Sequence, residues 1–362
     1  MPLAWWERLS RRHPPRTRRV SRPSLGVSAG QVRHAARRRP PLVEGAEIGA
    51  YRLGALLGRG GMGEVYQATH RLLGTPAAIK LIRPEVLIRA DDDDLFLTLR
   101  RFRREAETGS RLRSPHAVRL YDFGMTDGGT FYIVMELLAG LDLARLVDRF
   151  GPVPAERTLH FLRQACSALD EMHAHGLVHR DLKPENLHVC RRELHHDFLK
   201  VTDLGLVKPA RGATAEHLAL RARGRVLGTP AYMAPEIARG EAGDERTDIY
   251  ALGCVAYWLL TASPLFEGQS VEQTMRSHLD EDPIPPSRRT ELDIPAALER
   301  LILWSLAKAP ALRPQSVGEF QRRLAACDPP QRWTEERAMR WWDTHSPDGA
   351  AEAVKTARPR SA

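Results

Sequence analysis

The stretch "HRDLKPEN", residues 179–186, sets a His, an Arg, an Asp, a Lys, a Glu and an Asn within eight positions. A run so polar cannot be a core strand. Pro184 argues against a helix interior, because proline lacks the N–H and its ring clashes with the preceding turn. The segment reads as a structured loop, where polar groups are held for chemistry. Which chemistry depends on what the rest of the chain brings to it.

Upstream, "LGRGGMGEV" places Gly58, Gly60 and Gly63 in a G-x-G-x-x-G pattern, with Val65 two residues on. Glycines let backbone N–H groups close over phosphate oxygens. Dinucleotide-binding folds share the pattern, but there it opens a helix. Here it lies between strand-like runs, which favours a β-hairpin lid over a nucleotide. Seventeen residues after Gly63, "AAIK" puts Lys80 in an otherwise apolar strand, where an ammonium needs an anion. Phosphate oxygens are one candidate; Glu105 or Glu107, on the helical stretch 96–112, is the other. Downstream, Asp203-Leu204-Gly205 follows Asn186 by seventeen residues. Asn186 and Asp203 offer the hard oxygen ligands that Mg²⁺ takes beside a triphosphate. Asp181, with no metal duty, can accept a hydrogen bond from an attacking hydroxyl and orient it. The segment "GTPAYMAPE", 228–236, adds a rigid, Pro-flanked element.

In this order the motifs resemble those of the eukaryotic-like serine/threonine protein kinases of bacteria, over about residues 51–325. The resemblance implies an α+β, two-lobed protein-kinase-like fold: a small antiparallel β-sheet N-lobe with one main helix, and a larger, mostly helical C-lobe. It implies ATP and Mg²⁺ as cofactors and protein Ser/Thr hydroxyls as acceptors. Asp181 becomes the catalytic carboxylate, and Lys183 neutralises the transferring phosphoryl group. Thr229 braces both, and Glu105, favoured over Glu107 by the preceding "FRRE", pairs with Lys80. Leu57, Gly58, Gly60, Gly63, Val65 and Ala78 enclose the nucleotide from above. Met135 stands behind the adenine, Glu136 to Leu138 form the hinge, and Asp142 lies near the ribose. Asn186 and Asp203 hold the metal. Glu236 and Arg313 resemble the ion pair that locks the C-lobe, and Asp248 the acid that ties down the catalytic loop. Two rival readings are a catalytically silent scaffold and a small-molecule phosphotransferase. Intact Lys80, Asp181, Asn186 and Asp203 argue against the first, and the "APE" segment with Arg313 against the second.

The expected layout is a tail over 1–48, a kinase domain over 49–327 and an extension over 328–362. The domain divides into an N-lobe to 135, a hinge over 136–140 and a C-lobe from 141. Of the 362 residues, 1–43 carry eleven Arg against one acid, Glu7, so the net charge of +9 belongs to this end. Such a Pro/Arg-rich tail is expected to be disordered. It reads as a solvated extension, the preferred reading, or as an arm for nucleic acid or an anionic membrane. No run reaches the roughly 18–20 apolar residues of a membrane span, and no apolar signal core is seen. Four Cys (166, 190, 254 and 327) lack CxxC spacing, so a cytoplasmic location is expected. With no sensor domain in the sequence, regulation is expected from a partner, from dimerisation or from self-phosphorylation in trans.

Several features depart from the family pattern. Leu204 replaces Phe, and Gly109 interrupts the helix that carries Glu105. Thr214 is the only hydroxyl between Gly205 and Gly228, amid Arg211, Arg221, Arg223 and Arg225. Asp91–Asp94 could pair with that basic segment in place of a phosphate; a solvated charge run is the alternative. Cys190, His195 and His196 are read as incidental rather than metal-binding. Trp333, Trp341 and Trp342 either pack a C-terminal helix onto the C-lobe or offer it to a partner.

Overall fold

The computed structural model describes residues 44–60, 63–82, 102–126, 130–192, 195–204, 230–327, 329 and 331–345. Its first half is a six-stranded antiparallel sheet of order β1-β2-β3-β4-β6-β5. The strands are β1 (Glu47–Ile48), β2 (Tyr51–Gly60), β3 (Gly63–His70), β4 (Pro76–Ile82), β5 (Leu120–Met125) and β6 (Phe131–Met135). One helix, α1 (102–109), lies between β4 and β5 in sequence. Side chains alternate across a strand, and β4 uses both faces. Ile79 and Leu81 join an outer cluster with Tyr66 and Val134. Ala78 and Ile82 join the main core with Phe102 and Ala106 of α1. Lys80 falls on the Ala78/Ile82 face by the same alternation, and it is buried. Gly109 is buried at the end of α1.

The second half is mostly helical. A small sheet of β7 (Gly140–Asp142), β8 (Leu187–Arg192) and β9 (His195–Val201) sits beside helices α2 (Leu143–Phe150) and α3 (Ala155–Ala174). Then follow α4 (Pro235–Ala238), α5 (Glu245–Thr261), α6 (Val271–Asp280), α7 (Ala296–Ser305), α8 (Val317–Ala325) and α9 (Glu335–His345). α3 buries Leu159, Leu162, Cys166, Leu169 and Met172 along one stripe of helical spacing. α5 is buried almost all round, from Thr247 to Thr261, as its apolar run "IYALGCVAYWLL" requires of a central helix. Each large apolar side chain so buried contributes about 1.5–3 kcal/mol. Asp244 caps α5 by accepting from the Arg246 N–H. This is the two-lobed α+β architecture expected.

α9 packs onto the helical lobe around one buried carboxylate. Asp197, in β9, accepts from Arg157 Nε at 2.7 Å and Nη2 at 2.8 Å. It also accepts from Trp333 Nε1 at 2.8 Å and Trp342 Nε1 at 2.7 Å. The Arg157 guanidinium lies 3.7 Å from the Trp341 ring centroid and 5.0 Å from that of Trp333. Trp333 precedes the helix rather than standing on it. His196, read from sequence as incidental, holds Glu335 through Nδ1 at 2.7 Å. No group of three metal-ligating side chains occurs among the described residues. No helix among them is long and apolar enough to cross a membrane.

Candidate active site

The polar loop of 179–186 is fixed from behind. His179 is fully buried, and its Nε2 contacts the Thr202 carbonyl at 2.8 Å. Asp248, at the start of α5, accepts from the His179 and Arg180 N–H groups at 2.8 Å each and contacts His173 Nε2 at 2.8 Å. Burial alone would raise the Asp248 carboxyl, but the hydrogen bond and charge of His173 outweigh it and hold the group below the usual carboxylate range. Arg180 and Asp203 sit at φ 57° and 55°, the left-handed region non-glycine residues seldom enter. Such strain persists where surrounding contacts over-determine it.

Four of the candidate residues converge here. Lys80 Nζ lies 2.7 Å from Asp203 Oδ1. Burial pushes the Asp203 carboxyl up, but the Lys80 ammonium, with His179 and Lys183 behind it, prevails and keeps it below the usual range. Asn186 Nδ2 donates to the Asp181 carbonyl at 2.7 Å, with Asp181 Oδ2 at 3.3 Å. That bond spends the amide nitrogen, so the ligand chemistry of Asn186 rests on its Oδ1. With the Asp203 carboxylate it makes the hard-oxygen pair a Mg²⁺ ion takes, so these residues fit that ion. Glu107 is engaged by Arg103 Nε at 2.8 Å with its side chain 44% exposed, whereas Oε2 of Glu105 is enclosed by protein.

Above the loop, β2 and β3 pair through Gly58↔Val65 and Gly60↔Gly63, so the glycine motif is a hairpin and not the mouth of a helix. Its glycines have different reasons. A Cβ on Gly63 would stand 1.8 Å from the Leu81 carbonyl oxygen of β4, so packing demands that glycine. A Cβ on Gly58 or Gly60 would meet nothing within 4 Å, so the fold itself leaves both open.

Between the lobes lies a cleft of about 820 Å³, within the range of small-ligand sites. Leu57, Gly58, Val65 and Ala78 line its roof, Met135 its rear, and Glu136 to Leu138 its hinge side. Asp142, Asn186 and Asp203 line its lower edge. The hinge is anchored: Glu136 Oε1 accepts from the Arg119 N–H at 2.7 Å and from buried Lys200 Nζ at 2.5 Å. Asp142 caps α2 by accepting from the Arg145 N–H at 2.8 Å. Glu236 and Arg313 form a buried bidentate pair at 2.8 and 2.7 Å. Leu204 is buried in the main core.

Sequence reasoning missed other cleft residues. Val118 and Leu141 complete the apolar walls, Thr202 adds a hydroxyl, and Arg145, Asp148, Arg149 and Glu185 border the opening. His188 also lines the cleft. Burial, and less so Arg145, lowers its imidazolium to about 4 against the pull of Asp142, so the ring is neutral near pH 7. Thr229, Thr214, Gly205, the Arg cluster of 211–225 and Asp91–Asp94 lie outside the described residues.

The protein kinase domain family matches residues 51–341. The chain belongs to this family. It is 41% identical over 283 residues to the serine/threonine-protein kinase pkn3 of Myxococcus xanthus, across 78% of this chain and 50% of that protein. Against PknB of Mycolicibacterium smegmatis the identity is 38% over 277 residues, across 76% and 42%. The chain thus spans half or less of the length of these relatives. Among solved structures it is similar to Rad53 1-466, crystallised in complex with AMP-PNP, with a TM-score of 0.61 and 25% identity over 76% of this chain and 64% of that one.

Proposed function

We propose that the protein is a serine/threonine protein kinase that transfers the γ-phosphoryl group of ATP to hydroxyls of proteins, itself included. The observation that carries this reading is the pairing of Lys80 with Asp203 and of Asp181 with Asn186, where Asn186 and Asp203 line the cleft that Gly58 of the glycine hairpin also borders. Bound ATP lies with its base toward Met135 and the Glu136–Leu138 backbone. Asn186 and Asp203 would hold Mg²⁺, which would supply charge neutralisation at the phosphates. Lys80, which Asp203 engages here, also reaches phosphate oxygens, and Glu105 orients it. Asp181 accepts a hydrogen bond from the acceptor hydroxyl and aligns its oxygen with the γ-phosphorus. The oxygen–phosphorus bond forms as the bond to ADP breaks, and the hydroxyl proton leaves toward Asp181. Lys183 steadies the charge on the moving group, and Thr229 braces Asp181 and Lys183. The family resemblance supports these roles.

Protein substrates, self-association for trans-phosphorylation and a cytoplasmic setting belong to this reading; the four cysteines, all buried, suit a reducing compartment. Labelled ATP with Mg²⁺, the full chain and a generic basic protein substrate test it. Acid-stable label on Ser or Thr, abolished in Asp181→Asn, is the expected result. ATP binding without transfer under any activating condition would favour the scaffold reading.

A further inference from the structure

A second cavity, of about 330 Å³, shares no lining residue with the cleft. It lies where the end of α3, the chain entering the 179–186 loop, the start of α5 and Gln315 meet. Part of its polar lining is paired off. Arg246 donates to Asp244 Oδ1 at 3.0 Å and Oδ2 at 2.5 Å, and to Gln315 Oε1 at 3.1 Å. His173 and Glu245 are left over. The His173 side chain is 5% exposed, and its Nδ1 is enclosed with no hydrogen-bond partner among the described residues. The nearest acid to that nitrogen is Glu245, whose Oε2 lies 3.7 Å away, too far for a hydrogen bond. Its other nitrogen is committed. Asp248 accepts from two backbone N–H groups as a carboxylate, so its 2.8 Å contact with His173 is a donation by Nε2–H. Nδ1 of the neutral ring is then a bare lone pair.

We propose that His173 Nδ1 and Glu245 bind a divalent transition-metal ion of the zinc type, with water completing its shell. Metal-ligating histidines are held in this way, the other ring N–H given to a carboxylate that fixes tautomer and orientation. A zinc ion sits about 2.0–2.1 Å from nitrogen and about 2.0–2.2 Å from oxygen, so it bridges ligand atoms up to about 4 Å apart. The observed 3.7 Å falls inside that span. Glu245, with its side chain 43% exposed, can adjust at no cost to the core. Imidazole with carboxylate suits zinc-like ions, whereas Mg²⁺ takes oxygen ligands, so this site differs in kind from the oxygen pair of Asn186 and Asp203. Structural zinc takes four protein ligands; two make an exchangeable site that follows the metal available. Its occupancy reaches the catalytic loop, because the ion fixes the ring that donates to Asp248, and Asp248 holds the His179 and Arg180 N–H groups. The site needs no nucleotide, so it stands or falls independently of the kinase reading.

The test is isothermal titration of the full chain with zinc chloride in excess Mg²⁺, comparing wild type with Glu245→Gln, His173→Gln and Asp203→Ala. Gln at 245 keeps the size without the carboxylate. Gln at 173 can still donate to Asp248 but lacks Nδ1. Changes to outer-shell partners alone weaken metal sites about 10–100-fold, so loss of a direct ligand in either variant should weaken one zinc site by at least about ten-fold. Asp203→Ala should keep that site. X-ray absorption at the zinc edge should show an imidazole nitrogen on the ion in wild type and none in His173→Gln.

Zinc binding that is equal in wild type and Glu245→Gln overturns the proposal, and so does zinc that leaves only in Asp203→Ala, which would belong to the cleft. A site that Mg²⁺ fills as readily as zinc overturns it too. If His173→Gln failed to fold by circular dichroism, Glu245→Gln would decide alone, since its side chain is at the surface.

Discussion

Replacing Asp197 by Asn would test how the C-terminal helix is held. The Asp197 side chain is fully buried, and four N–H groups converge on it: two from Arg157, one from Trp333 and one from Trp342. Asn keeps the shape but turns one acceptor into a donor, so at least one N–H faces another. It also removes the countercharge from an Arg157 that is 2% exposed. Breaking a buried pair from one side costs about 3–5 kcal/mol, mostly for the charge left behind. For a domain of this size one kcal/mol is worth roughly 2–4 °C, so the midpoint should fall by about 10 °C. Differential scanning calorimetry measures that, and tryptophan fluorescence should report Trp342 entering water. Asp197 also sits at φ 53°, so Asp197→Gly relieves strain and should unfold later than Asp197→Ala by a degree or more. An Asp197→Asn protein within about 1 kcal/mol of wild type would refute the reasoning, because the rule for one-sided loss would not apply here.

Two further outcomes follow from the geometry. Gly58→Ala and Gly60→Ala should leave the melting temperature unchanged while weakening ATP binding several-fold, since only a ligand approaches those positions; Gly63→Ala should destabilise outright, its Cβ meeting the Leu81 carbonyl. Stability should fall on acidification from pH 7 to 5. Burial, then Lys308, lowers the His278 imidazolium to about 3. The unfolded chain takes up a proton near pH 6.5 that the folded state refuses, so stability from this group is complete above 6.5. It is lost at about 1.4 kcal/mol per unit below that value. His278→Gln should flatten the slope in calorimetric midpoints measured across that window.

Much of this architecture could be read in advance because its signals are local. Helical apolar patterns span 154–175, 246–262, 295–306 and 316–325, each opened by a cap or a Pro, and α3, α5, α7 and α8 form there to within a residue or two. α6 escaped because Val271, Met275 and Leu279 give it only one thin apolar line. β7 escaped because three residues make no pattern. The site was legible where spacing carries meaning, as in Lys80, Asp181, Asn186 and Asp203. It was illegible where chemistry depends on residues distant in sequence. Nothing near Asp197 announces Trp342, 145 positions away, and nothing in "ENLHVC" says that the imidazole of His188 will border a ligand cleft.

The most direct test of the central claim is the rate of phosphate transfer from γ-labelled ATP as Mg²⁺ is varied, for wild type and Asp203→Ala. Transfer that rises with Mg²⁺ in wild type and drops by at least about a thousand-fold in the variant, with the fold intact by circular dichroism, is the predicted result. Equal transfer by the two proteins would contradict the account, because the carboxylate that Lys80 holds in the cleft would then have no part in the reaction.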